Sequence, residues 1–186
     1  APAIMLVTLC ALTLGLRAQE PPHALPRAAA FLLGVFYGFG CWRAAPALRS
    51  LSPYWVFYAL VLTWVGDSAA YYVGRAAGRH KLAPRLSPAK SWEGSAASVA
   101  ASLALGYGYL WWLLPAVSPA ERVGISLAAN LAGQIGDLAE SMLKRGAGVK
   151  DSGALLPGHG GCLDRVDSTL FAMPAVYFLL WLLGKV

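Results

Sequence analysis

Charged residues are what this sequence has least of. Asp, Glu, Lys and Arg make up 13% of its 186 residues, about half the share found in soluble domains. Hydrophobic residues, by contrast, make up 58%. So few charges cannot cover the surface of a soluble globule of this size, and so apolar a chain is not disordered. The sequence therefore indicates an integral membrane protein.

Cysteine is also scarce, and its pattern excludes a disulfide scaffold. Cys10, Cys41 and Cys162 are an odd set without a CxxC spacing. Basic runs interleaved with aromatic residues are lacking as well, which argues against a nucleic-acid groove despite the net charge of +6. In a membrane protein an excess of basic residues is typical of cytoplasmic loops. We therefore expect a membrane location and no nucleic-acid partner.

Six apolar segments approach the length of about 20 residues that a transmembrane helix needs. They predict an all-α, polytopic integral membrane protein with a single transmembrane domain over residues 1–186, in which 1–60 holds N-terminal spans and 61–186 holds the core. The chain begins at Ala1 without a Met, so we expect the natural N-terminus to lie further upstream. The predicted segments are about 1–16, 28–42, 53–73, 95–114, 123–143 and 168–184.

The 15 basic residues divide unevenly between the two sides of such a six-helix arrangement. One side receives all of them except Arg43, Arg49, Arg122 and Lys185. Because basic residues favour the cytoplasmic side, this majority assigns the two longest loops, about 74–94 and 144–167, to the cytoplasm. We therefore expect a multi-pass protein of the cytoplasmic membrane with both long loops on its inner face.

Two predicted helices carry a patterned face. In the fourth, Ser98, Ser102 and Gly106 recur every fourth residue, which indicates a small-residue face for close helix packing. The fifth carries a polar stripe that is either a functional site or a buried network packed against polar partners, since ionised groups in apolar helices are costly and usually functional. At 3.6 residues per turn the stripe comprises Asn130, Gln134, Asp137, Ser141 and Lys144, with Glu140 beside it.

The polar stripe leads into a glycine-rich basic loop over residues 144–167. Backbone N–H groups of glycine-rich loops can form nests for phosphate oxygens, although such a loop is in other proteins merely flexible. Lys144, Arg145 and Lys150 supply positive charge suited to a polyanion. His159, which stands between glycines, is a metal ligand, a phosphate donor or a loop anchor. The loop therefore favours a phosphate-containing ligand.

Three carboxylates are predicted to meet at this loop. Asp164 and Asp167 are three residues apart at the start of the last helix and share a face, to which the neighbouring helix adds Asp137. Together they would repel one another unless a hard cation such as Mg²⁺ bound them and kept places for substrate phosphates. The pattern predicts a Mg²⁺ site, with a second cation left open. Helix capping is the alternative for Asp164.

Three motifs together carry a family resemblance. Ser141-x-x-Lys144-Arg145-x4-Lys150-Asp151-x5-Pro157-x-His159-Gly160-Gly161-x2-Asp164-Arg165-x-Asp167 resembles the signature of the phosphatidate cytidylyltransferases, also called CDP-diacylglycerol synthases. Upstream, Gly66-Asp67…Ala70-Tyr71…Gly74 and Ser87-Pro88-x-Lys90-Ser91-x-Glu93-Gly94 resemble the other motifs of this family, in the same order. Ser91 stands where Thr is expected, and Cys162 stands where an aliphatic residue is usual.

This resemblance implies Mg²⁺-dependent, in-line nucleotidyl transfer from CTP to phosphatidate in the bilayer, giving CDP-diacylglycerol and pyrophosphate. It implies a catalytic core in residues 61–186, and it leaves a homodimer open. Catalytic roles are implied for Asp137, Lys144, Arg145, Lys150, Asp151, His159, Asp164, Arg165 and Asp167. Substrate-binding roles are implied for Asp67, Ser87, Lys90, Ser91, Glu93, Gly94, Ser141, Gly160 and Gly161.

Other functions remain as alternatives. An archaeal-type relative would use CTP with an isoprenoid lipid phosphate instead of phosphatidate. The CDP-alcohol phosphatidyltransferases are disfavoured because their DGxxAR pattern is absent from the sequence. A cation channel or transporter would use the intramembrane carboxylates of Asp67 and Asp137 as a pathway, but it would leave the glycine-rich loop unexplained.

Overall fold

The computed structural model describes residues 2–17, 21–153 and 161–186. Within these ranges the chain forms seven α-helices and one two-stranded hairpin, and it divides into two compact units, Ala1–Arg43 and Ala44–Val186. The helices are α1 (Pro2–Gly15), α2 (Ala24–Val35), α3 (Ala44–Leu51), α4 (Pro53–Ala77), α5 (Trp92–Leu113), α6 (Pro119–Gly146) and α7 (Asp167–Leu182). Short 3-10 turns cover Pro21–His23 and Leu163–Arg165, and a π-helical turn covers Phe36–Gly40.

The first unit is a pair of apolar helices, α1 and α2. Ala11 and Ala28 are buried. Gly15 favours the close approach of the helices, because a Cβ at this position would lie only 3.0 Å from the carbonyl oxygen of Ala24. The first predicted segment, 1–16, matches the bounds of α1 closely.

The second unit is a bundle in which α4 packs on α5, α5 on α6 and α6 on α7. The predicted small-residue face of α5 is confirmed, since Ser98, Ser102 and Gly106 are all buried. The hydroxyl of Tyr58 on α4 hydrogen-bonds Ser126 on α6 at 2.8 Å, so the interface is partly polar. The fully buried apolar side chains of the bundle include Leu48, Leu62, Leu110, Ile125, Val176 and Leu180.

The all-α prediction treated the chain between α4 and α5 as a long loop, but the structure forms a β-hairpin there. Strands β1 (Lys81–Ala83) and β2 (Ser87–Ser91) form an antiparallel hairpin in which Lys81 pairs with Ser91. Strands of three and five residues are too short to show the alternating pattern by which strands are recognised in a sequence. The hairpin returns the chain at once from the end of α4 to the start of α5, and so places its residues beside both helices.

Three helical stretches among the described residues are long and apolar enough to cross a membrane: Ala24–Leu51, Pro53–Ala77 and Trp92–Leu113. Ala3–Gly15 and Asp167–Leu182 are shorter apolar helices. The helix that holds the fifth predicted segment, α6, is not among the three because its polar stripe lowers its hydropathy. The protein is a helical membrane protein, and the arrangement of six spans stays a prediction.

Candidate active site

An open cavity of about 1170 Å³ lies at one end of the bundle, between the hairpin, the C-terminal ends of α4 and α6 and the N-terminal ends of α5 and α7. All three sequence motifs contribute to its wall, although they are far apart along the chain. The predicted site residues that line it are Asp67, Ser87, Lys90, Ser91, Gly94, Asp137, Lys144, Lys150, Asp151, Asp164, Arg165 and Asp167.

The hairpin is tied to α6 across this cavity by an ion pair. The Lys90 ammonium lies 2.5 Å from a carboxylate oxygen of Asp137. Both side chains are partly exposed, so ligand atoms can reach the pair. The second motif and the polar stripe of α6 therefore meet at one point of the site.

Ser91 and Gly94 form the cap of α5 at the cavity wall. The Ser91 hydroxyl accepts a hydrogen bond from the backbone N–H of Gly94 at 3.2 Å, as an N-cap residue does. A Cβ at Gly94 would lie 2.7 Å from the carbonyl oxygen of Ala70, so only glycine allows α4 and α5 to approach so closely here. These two motif residues thus shape the cavity as well as line it.

Lys144 is held by two carboxylates at the end of α6. Its ammonium lies 3.0 Å from Glu140, one turn earlier, and 2.6 Å from Asp164. The Glu140 side chain is fully buried, and an oxygen of its carboxylate has no hydrogen-bond donor within the described residues. This arrangement gives Lys144 a role in holding the end of α6 to the segment before α7.

The Asp164 carboxylate accepts hydrogen bonds from both described ends of the glycine-rich loop. It accepts hydrogen bonds from the backbone N–H and hydroxyl of Ser152 at 2.9 and 2.8 Å, and from the N–H of Gly161 at 2.7 Å. Partial burial raises the pKa of Asp164, but the Lys144 ammonium and these donors outweigh it and hold the pKa well below its usual range. Asp164 is therefore ionised and fixes both described ends of the loop.

Carboxylates crowd the remaining wall. Asp67, Asp137 and Asp167 interact unfavourably with one another across the cavity, and Asp67 accepts a hydrogen bond from the Ser168 hydroxyl at 3.1 Å. In the described ranges no three His, Cys, Asp or Glu side chains come close enough to hold a metal ion. A hard cation would relieve the repulsion among Asp67, Asp137 and Asp167 if it bound at this wall.

Several predicted residues lie away from the cavity wall. Arg145 donates to the backbone carbonyl oxygens of Leu86 at 3.5 Å and Val149 at 3.3 Å. Glu93 accepts from the backbone N–H of His80 and lies 2.6 Å from its ring nitrogen. Ser141 and Gly161 are not part of the wall either. His159 and Gly160 lie outside the described residues.

The cavity also contains residues that the sequence did not assign to the site. On α4 the Arg75 guanidinium donates to the Tyr71 hydroxyl at 2.9 Å, and both line the wall. Ser95 and Gln134 line it as well, joined by a hydrogen bond of 2.5 Å between α5 and α6. Gln134 belongs to the predicted polar stripe, so its position at the site could be predicted from the sequence. Nothing in the sequence pattern indicated that its partner Ser95 belongs to the site.

Fold and site together define a helical membrane protein whose polar cavity combines carboxylates and cations, a combination suited to phosphate groups and a metal ion. A sequence model of the cytidylyltransferase family matches residues 1–183. The chain belongs to this family, as the three motifs predicted.

Individual relatives support the same family. A phosphatidate cytidylyltransferase of Bacillus subtilis is 43% identical over 152 residues, which cover 80% of this chain and 56% of the relative. One of Staphylococcus aureus is 42% identical over 132 residues (71% of this chain, 51% of the relative), and one of Haemophilus influenzae is 43% identical over 123 residues (64% and 43%). The chain thus spans only about half the length of these relatives.

Proposed function

We propose that the protein catalyses transfer of the cytidylyl group of CTP to phosphatidate, forming CDP-diacylglycerol and pyrophosphate. The observation that carries this proposal is the single cavity in which Asp67, Lys90 and Asp164, from three separate motifs, come together. The relatives named above are phosphatidate cytidylyltransferases, and a membrane protein with a charged cavity suits a reaction between a lipid and a soluble nucleotide.

The reaction needs little covalent participation by the protein. A phosphate oxygen of phosphatidate, largely ionised at neutral pH, attacks the α-phosphorus of CTP. The new O–P bond forms as the bond to the β-phosphate breaks, and pyrophosphate leaves. Catalysis then consists of positioning and of neutralising phosphate charge. Lys150 and Arg165 line the cavity and form no ion pair with a described carboxylate, so their charges are free for phosphate oxygens.

A Mg²⁺ ion fits the carboxylate side of the cavity. Asp137 and Asp167 would hold it, with Asp67 close by, since these carboxylates repel one another, and Asp137 would exchange its ion pair with Lys90 for the ion. Asp164 was the third predicted ligand, and in the structure its oxygens are engaged by Lys144, Ser152 and Gly161. The ion would supply neutralisation of the CTP phosphates and of the departing pyrophosphate.

We further propose that the cavity faces the cytoplasm. CTP is soluble and cannot cross a bilayer, so its site must open on the side that holds the nucleotide. The basic residues of the hairpin and of the 144–167 segment surround this end of the bundle and would lie on the cytoplasmic side by the positive-inside rule. The six-span arrangement in the cytoplasmic membrane agrees with this orientation.

The test is an assay of the purified full chain with Mg²⁺, phosphatidate in detergent micelles and labelled CTP. Label at the α-phosphate should enter the lipid, and label at the γ-phosphate should appear in pyrophosphate. Label on an isoprenoid lipid phosphate but not on phosphatidate would contradict the lipid assignment. No labelled lipid with either acceptor, in a preparation that is folded and monodisperse, would overturn the proposed activity.

A further inference from the structure

A chain of hydrogen bonds runs from the backbone of α4 into the middle of the bundle. The Ser102 hydroxyl donates to the carbonyl oxygen of Leu62 at 3.3 Å, and the Asn130 amide NH₂ approaches the hydroxyls of Ser98 and Ser102 at 2.8 Å each. A serine hydroxyl has one proton. Because Ser102 gives this proton to Leu62, it must accept from Asn130, and the orientation of the Asn130 amide is fixed.

The same chain continues from Asn130 to the cavity. The amide oxygen of Asn130 accepts from the Gln134 Nε2 at 2.7 Å, and the Gln134 Oε1 accepts from the Ser95 hydroxyl at 2.5 Å. Asn130 is buried, whereas Gln134 and Ser95 are partly exposed and line the cavity. An amide oxygen has two lone pairs. Gln134 therefore presents an acceptor whose orientation is set by residues that the ligand does not touch.

We propose that the Gln134 Oε1 accepts a hydrogen bond from the exocyclic amino group of cytosine and so selects CTP over UTP. The inference rests on the proposed function, and it assigns a residue that none of the motifs includes. Uracil carries a carbonyl oxygen where cytosine carries the amino group, so two acceptors would face each other. Gln134 cannot turn its NH₂ toward uracil without losing its bond to Asn130, since the Asn130 amide is itself held by Ser102.

The distribution of charge along the cavity suits this position of the base. Gln134 hydrogen-bonds the uncharged groups of Ser95 and Asn130, and the Asp137–Lys90 ion pair lies one turn further along α6. Lys144 is ten residues further along α6, about 15 Å along the helix axis. Lys150 and Arg165 also line the cavity, and both are exposed. A nucleoside triphosphate has the same polarity, with a neutral base at one end and anionic phosphates at the other.

The test compares kcat/KM for CTP and UTP in the full chain and its variants. Gln134→Met keeps the length of the side chain and removes the acceptor, and the preference for CTP should fall by roughly 10- to 100-fold. Ser102→Ala does not touch the ligand but releases the orientation of Asn130, so Ser102 is a positioning residue. Its substitution should lower the preference by a smaller factor, about 3-fold, with kcat for CTP little changed.

The matched control is Tyr58→Phe. It removes a buried hydrogen bond between α4 and α6, the two helices that Ser102 links from α5, but Tyr58 and its partner Ser126 do not line the cavity. The preference for CTP should stay at the wild-type value. An equal loss of preference in Tyr58→Phe and Ser102→Ala would show that weakening the helix interface alone lowers the preference for CTP. That result would overturn the role of the hydrogen-bond chain from Ser102 to Gln134.

The outcomes separate this inference from the proposed function. A wild-type protein that forms CDP-lipid while Gln134→Met and Ser102→Ala keep the full preference for CTP overturns the inference alone. A change in the ratio of CTP to 2′-deoxy-CTP in Gln134→Met, without a change against UTP, assigns Gln134 to the ribose and overturns the base contact. If Gln134→Met does not fold, the Ser102→Ala ratio decides. If the wild type forms no CDP-lipid, the proposed function fails, and CTP and UTP affinities from equilibrium binding test the contact.

Discussion

The two ends of the helical bundle differ in how their charged side chains are arranged. At the end away from the cavity, the Glu121 carboxylate accepts from the backbone N–H of Ser118 at 2.7 Å and lies 3.2 Å from the Lys185 ammonium. The Arg122 guanidinium donates to the carbonyl oxygen of Pro115 and lies 5.6 Å from the ring centre of Tyr107. Both charged groups have partners, although the buried Nε of Arg122 lacks a hydrogen-bond acceptor among the described residues.

At the cavity end ion pairs are also present, since Lys90 pairs with Asp137 and Lys144 with Asp164, but neighbouring carboxylates repel one another as well. Asp67, Asp137 and Asp167 interact unfavourably, and an oxygen of the buried Glu140 lacks a donor among the described residues. Local conflicts that the fold itself does not require are expected at functional sites. The two ends therefore differ in the mutual repulsion of Asp67, Asp137 and Asp167, which a bound cation would relieve.

The largest expected effect comes from neutralising a carboxylate at the cavity end. Asp137→Asn should lower CTP turnover by about 100- to 1,000-fold, because it removes charge aimed at the metal and phosphates. The melting temperature should not fall, since relief of repulsion from Asp67 and Asp167 offsets the loss of a partly exposed ion pair with Lys90. Labelled-CTP turnover and circular-dichroism melting measure the two effects. Glu121→Gln, at the other end, should leave turnover unchanged; an equal loss in both variants would contradict the comparison.

The next largest effects are expected from substitutions of Lys144 and Lys150. The sequence predicts the same role for both lysines, but we expect their substitutions to affect different properties. Lys144→Ala leaves the buried Glu140 without its cation and should lower the free energy of unfolding by about 3 kcal/mol. Lys150→Ala should raise the KM for CTP by about 10-fold through loss of a charge-assisted phosphate contact, with the stability unchanged. Denaturation and steady-state kinetics on both variants check this. Equal destabilisation by the two substitutions would contradict the distinction drawn from their ion pairs.

The periodic features of the sequence predicted much of the bundle. The spacing of Asn130, Gln134 and Asp137 placed them on one face, and the recurrence of Ser98 and Ser102 predicted close packing, because both inferences depend only on helix geometry. Both readings of the polar stripe hold in part. Asn130 belongs to a buried network that packs α5 against α6, whereas Gln134 and Asp137 line the cavity.

The partners of the charged residues could not be predicted in the same way. Lys144 and Lys150 look alike in the motif, and only the tertiary structure shows that Lys144 is taken by Glu140 and Asp164. Glu93 was assigned to the substrate, but the hairpin brings His80 to its carboxylate. Ion pairs between separate elements depend on where those elements pack, and no spacing within one element records this.

Glycines at helix contacts give a second comparison, between a contact outside the cavity and one near it. A Cβ at Gly106, outside the cavity, would lie 2.9 Å from the Cβ of Ser126 and 3.0 Å from a methyl carbon of Leu62. Such overpacking costs about 1–3 kcal/mol. Gly106→Ala should therefore lower the free energy of unfolding by about 2 kcal/mol and leave the KM for CTP unchanged, as denaturation and kinetics would measure.

Gly66→Ala is the matched variant near the cavity. Its Cβ would lie 2.8 Å from the Asn130 amide nitrogen and from the hydroxyls of Ser98 and Ser102. The same overpacking would disturb the hydrogen-bond chain to Gln134, so this variant should lose both stability and preference for CTP over UTP. A preference kept at the wild-type value in a folded Gly66→Ala protein would contradict the link between this contact and the cavity.

The smallest effect is expected from the helix caps, which occur in matched form at both ends. Ser118 caps α6 through a hydrogen bond from the backbone N–H of Glu121, and Ser91 caps α5 through one from Gly94. Either Ser→Ala substitution should lower the free energy of unfolding by about 1 kcal/mol, since each removes one cap hydrogen bond. Turnover should fall only in Ser91→Ala, because Ser91 lines the cavity and Ser118 does not. If both variants keep wild-type turnover after equal destabilisation, the Ser91 hydroxyl serves the helix alone, and the boundary of the active site lies closer to Asp137 and Gln134.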